Sequence, residues 1–339
     1  MKVKVLIEGE TPVTDSAIQL LNSYINSNEY DEIVYDNSRE HEVAFLSRPE
    51  NLELITNSLN STNTKFVIFL NGERNYDSLM EENPNIKIIR SANHFFRVVY
   101  EDYCERLGDI QNYKVPLFET DILYLNGKPH PYRCHLMDCF QKSTLHQNTK
   151  YTWCWTQADM GWNPPAYTFV NWNEQNVHLE EGITRETIIE QNKLDITMKP
   201  FSQLISESQI DYFFLTEKTV KALFLKQPFL VLGVVGFHKK LEEMGFQLYT
   251  ELFDYSFDSI TDLNLRCESI IKEFEKIKSI NVYDMYKILE PKLIYNMNKS
   301  IEIMNSYEHN KEIIDYIKPR MEFFSEVLDG NVIHSSYMK

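Results

Sequence analysis

The chain has 339 residues, with 34 Lys and Arg against 50 Asp and Glu, a formal net charge of −16. At about 150 residues per domain the length suggests two domains. A hydrophobic share of 43% excludes general disorder, and ten Gly with 12 Pro exclude collagen-like or low-complexity character. The acidity argues against a basic sleeve around nucleic acid but leaves room for a local basic groove, because net charge is a sum and not a map.

The N-terminal segment Val3-Lys-Val-Leu-Ile7 reads as a strand, and its apolar part is too short for a signal-peptide core. Thr14 or Asp15 caps a helix that continues through Leu21. Glu32-Ile-Val-Tyr35 and Glu42-Val-Ala-Phe-Leu46 look like short strands, and residues 51–59 a helix. Lys65-Phe-Val-Ile-Phe-Leu70 is a continuous apolar run, the pattern of a parallel strand buried on both faces. Ile86-Lys-Ile-Ile89 is a further strand, and residues 92–107 form an aromatic-rich helix. This alternation predicts an open α/β sheet.

Residues 119–126 predict a strand and residues 134–145 a helix. The stretch 148–175 holds Trp153, Trp155, Trp162 and Trp172, and reads either as an insertion with its own core or as a ligand-facing wall. Residues 176–200 are polar enough for a link. Beyond them come a helix through Val220 to Lys226, a buried strand Phe229-Leu-Val-Leu232, a helix from Phe237 to Met244 ended by Gly245, and a short strand from Phe246 to Tyr249. From Leu263 to Val327 the pattern is nearly all helical, with Pro291 and Pro319 as breaks or kinks. The longest apolar run is too short to cross a membrane. Five scattered cysteines without a CxxC pair suggest reduced thiols in a cytoplasm.

The chemistry concentrates in Ser206-Glu207, Phe214-Leu-Thr-Glu-Lys-Thr219 and Pro228-Phe-Leu-Val-Leu-Gly233. A helix N-terminus has free N–H groups and a positive dipole end, so it attracts phosphate. Thr216 and Thr219 can cap such a helix and donate hydroxyls, and Lys218 adds a point charge for a diphosphate. Glu207 or Glu217 can accept a pair of ribose or sugar hydroxyls. A nucleotide sugar needs this set. The same residues also fit an imperfect capping box with no ligand.

The run Phe214-Leu-Thr-Glu-Lys-Thr-Val-Lys-Ala-Leu-Phe-Leu-Lys-Gln-Pro-Phe-Leu-Val-Leu-Gly233 resembles the nucleotide-binding signature of a family of phage-encoded glycosyltransferases. Its Glu-Lys core is similar to the donor motif of α1,3-fucosyltransferase-like enzymes. Gly236-Phe-His-Lys-Lys-Leu-Glu-Glu-Met-Gly-Phe246, Phe253-Asp-Tyr-Ser-Phe-Asp258 and Leu125-Asn-Gly-Lys-Pro-His-Pro-Tyr-Arg133 continue the resemblance, which covers about residues 119–290. Ala222 stands where the family usually has Pro, His130 at the usual first Arg of the upstream turn, and Tyr132 where a His precedes Arg133.

The resemblance implies a GT-B-like α/β fold: two Rossmann-like lobes with a cleft between them and a helical C-terminus. The lobes are expected at 1–118 (acceptor side) and 119–290 (donor side), with residues 291–339 packing back on them. It implies a UDP- or GDP-sugar donor held by Arg133, Glu207, Thr216, Glu217, Lys218 and Thr219, and no metal, since side-chain cations do that work. The general base for the acceptor hydroxyl is sought in the N-terminal lobe, among Glu8, Glu73 and His94. His238 reads as a surface residue, and Asp254 and Asp258 as cleft residues or helix caps. A phage setting makes 5-hydroxymethylcytosine in DNA one acceptor and the host cytoplasm the location, with Lys142 and Lys150, Arg90 and Arg97, or Lys239 and Lys240 as a local basic face. A glycan, protein or small-molecule acceptor, or a non-catalytic nucleotide-binding protein, are the alternatives.

Overall fold

A computed structural model describes residues 2–7, 15–37, 48–90, 94–115, 117–126, 130–147, 149–153 and 197–320. The chain divides into two compact units, one formed by Met1–Arg97 with Ile303–Lys339 and the other by Val98–Glu302. Each contains a four-stranded, wholly parallel sheet, so the expectation of two Rossmann-like α/β units is met.

In the first unit the strands β1 (Val3–Ile7), β2 (Glu32–Asn37), β3 (Lys65–Leu70) and β4 (Ile86–Arg90) lie in chain order. The helices α1 (Asp15–Asn26), α2 (Pro49–Ser61) and α3 (Asp77–Glu82) connect them. Parallel crossovers are right-handed, so a sheet that grows always in one direction receives its helices on one face. Phe66, Ile68 and Leu70 accordingly pack with Leu21, Ile25, Ile55 and Leu59. The alternate residues Val67 and Phe69 point the other way, because side chains alternate along a strand. That second face is covered from far down the chain: Ile313 and Tyr316 of helix α10 (Tyr307–Ile317) pack on Val34, Val67, Phe69 and Ile89. The apolar run 65–70 is thus buried on both faces, as expected. The strand proposed at residues 42–46 lies outside the described residues.

In the second unit, helix α4 (His94–Leu107), which starts in the first unit, leads into the sheet of β5 (Thr120–Asn126), β6 (Thr149–Trp153), β7 (Pro200–Ser206) and β8 (Phe229–Leu232). Its strand order is β6-β5-β7-β8. From β5 the chain turns outward through α5 (Pro131–Lys142) to β6, and from β7 it turns the opposite way through α6 (Glu217–Phe224) to β8. The order therefore reverses between β5 and β7. Helices α7 (Phe237–Glu243), α8 (Leu263–Glu275) and α9 (Val282–Asn305) follow. Pro291 lies inside α9 and does not end it, and Pro319 falls in a 3-10 turn at Lys318–Arg320.

The stretch Phe246–Tyr249 is not a strand. It needs no strand partner because the Asn296 side chain takes its place. The Gln247 N–H donates to Asn296 Oδ1 at 2.8 Å, and Asn296 Nδ2 donates to the Gln247 carbonyl at 2.8 Å.

Candidate functional site

Ligands of open α/β sheets bind beyond the carboxyl ends of the strands, where the strand order reverses. In the second unit that point lies between the ends of β5 and β7, marked by Asn126 and by Ser206 with Glu207. Both strand ends lead into helices that begin there. Pro131 opens α5, where a missing N–H costs nothing. Thr216 caps α6, its hydroxyl accepting the Lys218 N–H.

Glu207 is the hub of the site and is fully buried. Its carboxylate accepts the Thr216 N–H at 3.2 Å, the Thr216 hydroxyl at 2.5 Å and the Thr219 hydroxyl at 2.6 Å. Its backbone carbonyl accepts the Tyr132 hydroxyl at 2.9 Å and Arg133 Nη2 at 3.0 Å. One residue thus ties the end of β7 to the first turns of both α5 and α6. The anion that the α6 N-terminus attracts is here the protein's own carboxylate, and both threonine hydroxyls are donated to it.

Lys218 faces outward from this hub, and its side chain is 29% exposed. Its Nζ donates to Ser208 Oγ and Thr216 Oγ1 at 3.1 Å, and lies 3.2 Å from Glu217 Oε1. Burial opposes ionisation of Glu217, but the charges of Lys218 and Lys221 overcome it and hold the carboxyl below its usual range. Burial also pushes the Tyr132 hydroxyl up to about 12, against the pull of Arg133, so Tyr132 acts as a neutral donor. The Tyr132 ring stacks on His130, the two rings being 7° from parallel, and the Arg133 guanidinium lies 5.8 Å from the ring centre.

Arg133, Glu207, Thr216, Glu217, Lys218 and Thr219 therefore form one connected cluster. Glu73 and His94 belong to the first unit: Glu73 is exposed just beyond β3, and His94 is the half-buried first residue of α4. Glu8, Trp155, Trp162 and Trp172 lie outside the described residues, and Trp153 is buried at the end of β6.

His238 is not a surface residue. It is 1% exposed and seals the outer edge of the sheet. Its Nε2 accepts the Val231 N–H of edge strand β8 at 3.1 Å, while Nδ1 donates to Asp258 Oδ1 at 2.9 Å. An edge strand exposes unpaired backbone groups, and this ring satisfies one of them. Asp258 caps α7 by accepting the backbone N–H groups of His238 and Lys239. Asp254 caps the 3-10 turn at Tyr255–Ser259.

Sequence reasoning missed Ser208 and Asn126. Asn126 is 2% exposed, and its amide has no partner in hydrogen-bond geometry among the described residues, although it lies near enough to influence the Tyr124 hydroxyl. A polar residue at the end of an apolar strand beside the order reversal is the signal that would have found it. Among the described residues, no group of three His, Cys, Asp or Glu stands close enough to hold a metal ion.

No family model matches the chain, and no curated protein matches it. A search of solved structures returns one described as the crystal structure of an α1,3-fucosyltransferase. The match covers 86% of this chain and 90% of that one, at 8% identity and a TM-score of 0.33. At that level the likeness carries no argument about function.

Proposed function

We propose that the protein is a glycosyltransferase that moves a sugar from a nucleoside-diphosphate donor to a hydroxyl acceptor. The observation that carries this reading is the gathering of Arg133 and Lys218 around the end of β7, where the strand order reverses. The resemblance of residues 214–233 to a donor motif points to Lys218, and that of residues 125–133 to Arg133.

In this reading Lys218 and Arg133 stabilise the charge that develops on the leaving diphosphate, inside a site of low dielectric. Glu217, the more exposed of the two carboxylates, accepts the ribose hydroxyls. Glu207, Thr216 and Thr219 hold the turn that presents Lys218. The cations are side chains, and the reading calls for no metal. The acceptor hydroxyl loses its proton to a base, for which Glu73, His94 and Glu8 are the candidates.

The acceptor reading with DNA 5-hydroxymethylcytosine rests on the resemblance to phage enzymes. A second reading, a glycan, protein or small-molecule acceptor, is favoured by the pairing of two of the basic candidates. Lys142 lies 2.5 Å from Asp138, and Lys150 lies 4.0 Å from Glu119.

Thermal unfolding with a panel of UDP- and GDP-sugars tests the donor site: at least one should raise the midpoint, and Lys218→Ala should reduce that rise. No stabilisation by any of them would overturn the reading. Labelled sugar from the stabilising donor, offered to hydroxymethylated DNA and to glycans, separates the acceptors. Binding without transfer would leave a non-catalytic nucleotide-binding protein.

A further inference from the structure

Asn126 ends β5 with its side-chain amide buried and unmet. It is 2% exposed, and neither Nδ2 nor Oδ1 has a partner in hydrogen-bond geometry among the described residues. The backbone is held, its N–H donating to Thr152 Oγ1 at 3.0 Å. The Tyr124 hydroxyl is near the amide but is not aligned with it. A buried amide without partners is unfavourable, and native structures satisfy nearly all such groups.

The strand ladders place this amide at the order reversal. Pairing of β5 with β7 stops at Tyr124 and Leu204, two residues short of both strand ends. By contrast β5 stays paired with β6 as far as Asn126 and Trp153, and β7 with β8 as far as Ser206 and Leu232. The sheet therefore opens between Asn126 and Ser206. Residues two apart on a strand share a face, so the amide lies on the face of Tyr124. There the Tyr124 ring packs on Phe140 of α5, with centroids 5.3 Å apart, and its hydroxyl lies 3.4 Å from Ser206 Oγ. Tyr132 and Arg133, in the first turn of α5, span the same opening to reach the Glu207 carbonyl.

The chemistry of the amide limits its ligand. Its nitrogen donates and its oxygen accepts. An ionised diphosphate meets the first need but has no proton for the second. Two neighbouring hydroxyls meet both. Glu217, assigned to the ribose, opens α6, which leads from β7 away to β8, whereas Asn126 ends β5 on the other side of β7. A donor laid across the opening has its nucleoside at Glu217, its diphosphate at Lys218 and Arg133, and its sugar at Asn126. We propose that Asn126 is the sugar-reading residue of the site: Nδ2 donates to one hydroxyl of the transferred sugar and Oδ1 accepts from the next. This assignment rests on the transferase reading.

Asn126→Val and Asn126→Ala remove both polar atoms and leave the backbone bond to Thr152 in place. Both variants should fold, because the amide supports nothing in the unliganded protein. Titration calorimetry should show UDP or GDP binding as in wild type. The sugar nucleotide that stabilises wild type should bind the variants about tenfold more weakly. If neither variant folds, the amide belongs to the fold and the proposal is overturned. If the sugar nucleotide and its parent diphosphate weaken equally, Asn126 reads the nucleoside diphosphate and the sugar assignment falls. If neither weakens, the sugar assignment falls and the transferase reading stands. If wild type binds no sugar nucleotide, the transferase reading falls and takes this assignment with it.

Discussion

Arg133 Nη2 donates to the backbone carbonyl of Glu207 at 3.0 Å, across 74 residues of sequence. Tyr132 donates to the same oxygen, so the two residues share a structural duty but differ in charge. Tyr132→Phe should therefore cost about 0.5–1.5 kcal/mol in urea unfolding and leave UDP or GDP affinity unchanged. Arg133→Met should cost a similar amount and lose most of that affinity. Equal loss of affinity in both variants would remove the binding role assigned to Arg133.

The Glu207 carboxylate accepts three hydrogen bonds with no exposure to water. Glu207→Gln retains the shape but replaces one accepting oxygen with a donor. The expected loss is about 1–3 kcal/mol, read as a lower urea midpoint at unchanged slope. Thr219→Val should also destabilise, by removing one donor to that carboxylate. A neutral Glu207→Gln variant would mean that the hub does not hold the two helix starts.

Asp258 gives the protein an acid-side dependence. Burial opposes its ionisation, but the hydrogen bonds from His238 and the α7 backbone outweigh it and hold its pKa below the usual aspartate value. A carboxyl lowered in the folded state stabilises the fold above its unfolded pKa, near 4, and loses that contribution as the pH falls through the lower folded value. Asp258→Asn should be less stable at pH 7 and show a shallower fall in stability below pH 5. An unchanged slope in a series of unfolding curves would refute the linkage.

In the first unit, Tyr316 donates its hydroxyl to the buried Glu32 carboxylate and sets its ring edge-on to Phe69, with centroids 5.7 Å apart. Tyr316→Phe removes the hydrogen bond alone and should cost about 1–3 kcal/mol. Tyr316→Ala also opens a cavity and should cost about 3–5 kcal/mol. If the two variants unfold at the same midpoint, the ring does not seal that face of the sheet.

Strand β3 was legible because burial on both faces leaves a continuous apolar run, and the Thr216 cap because threonine before a helix has one dominant use. Phe246–Tyr249 misled because an extended backbone can be satisfied by a side chain such as Asn296, which lies 49 residues away from Gln247. His238 misled for a related reason: a histidine in a polar helix turn looks exposed until the edge of β8 supplies a backbone N–H for it. The Lys218 cluster, Glu207 included, was readable as a local motif, whereas the role of Glu207 as the buried acceptor of Thr216 and Thr219 was not. Its backbone carbonyl also accepts from Tyr132 and Arg133, brought there by the order of the strands.

Helix α10 closes the second face of a sheet whose four strands end at residue 90. During synthesis on the ribosome those strands emerge more than two hundred residues before their cover. In that interval Val67 and Phe69 present a greasy surface to the cell. The first unit therefore cannot complete this core until the whole of the second unit, Val98–Glu302, has been synthesised.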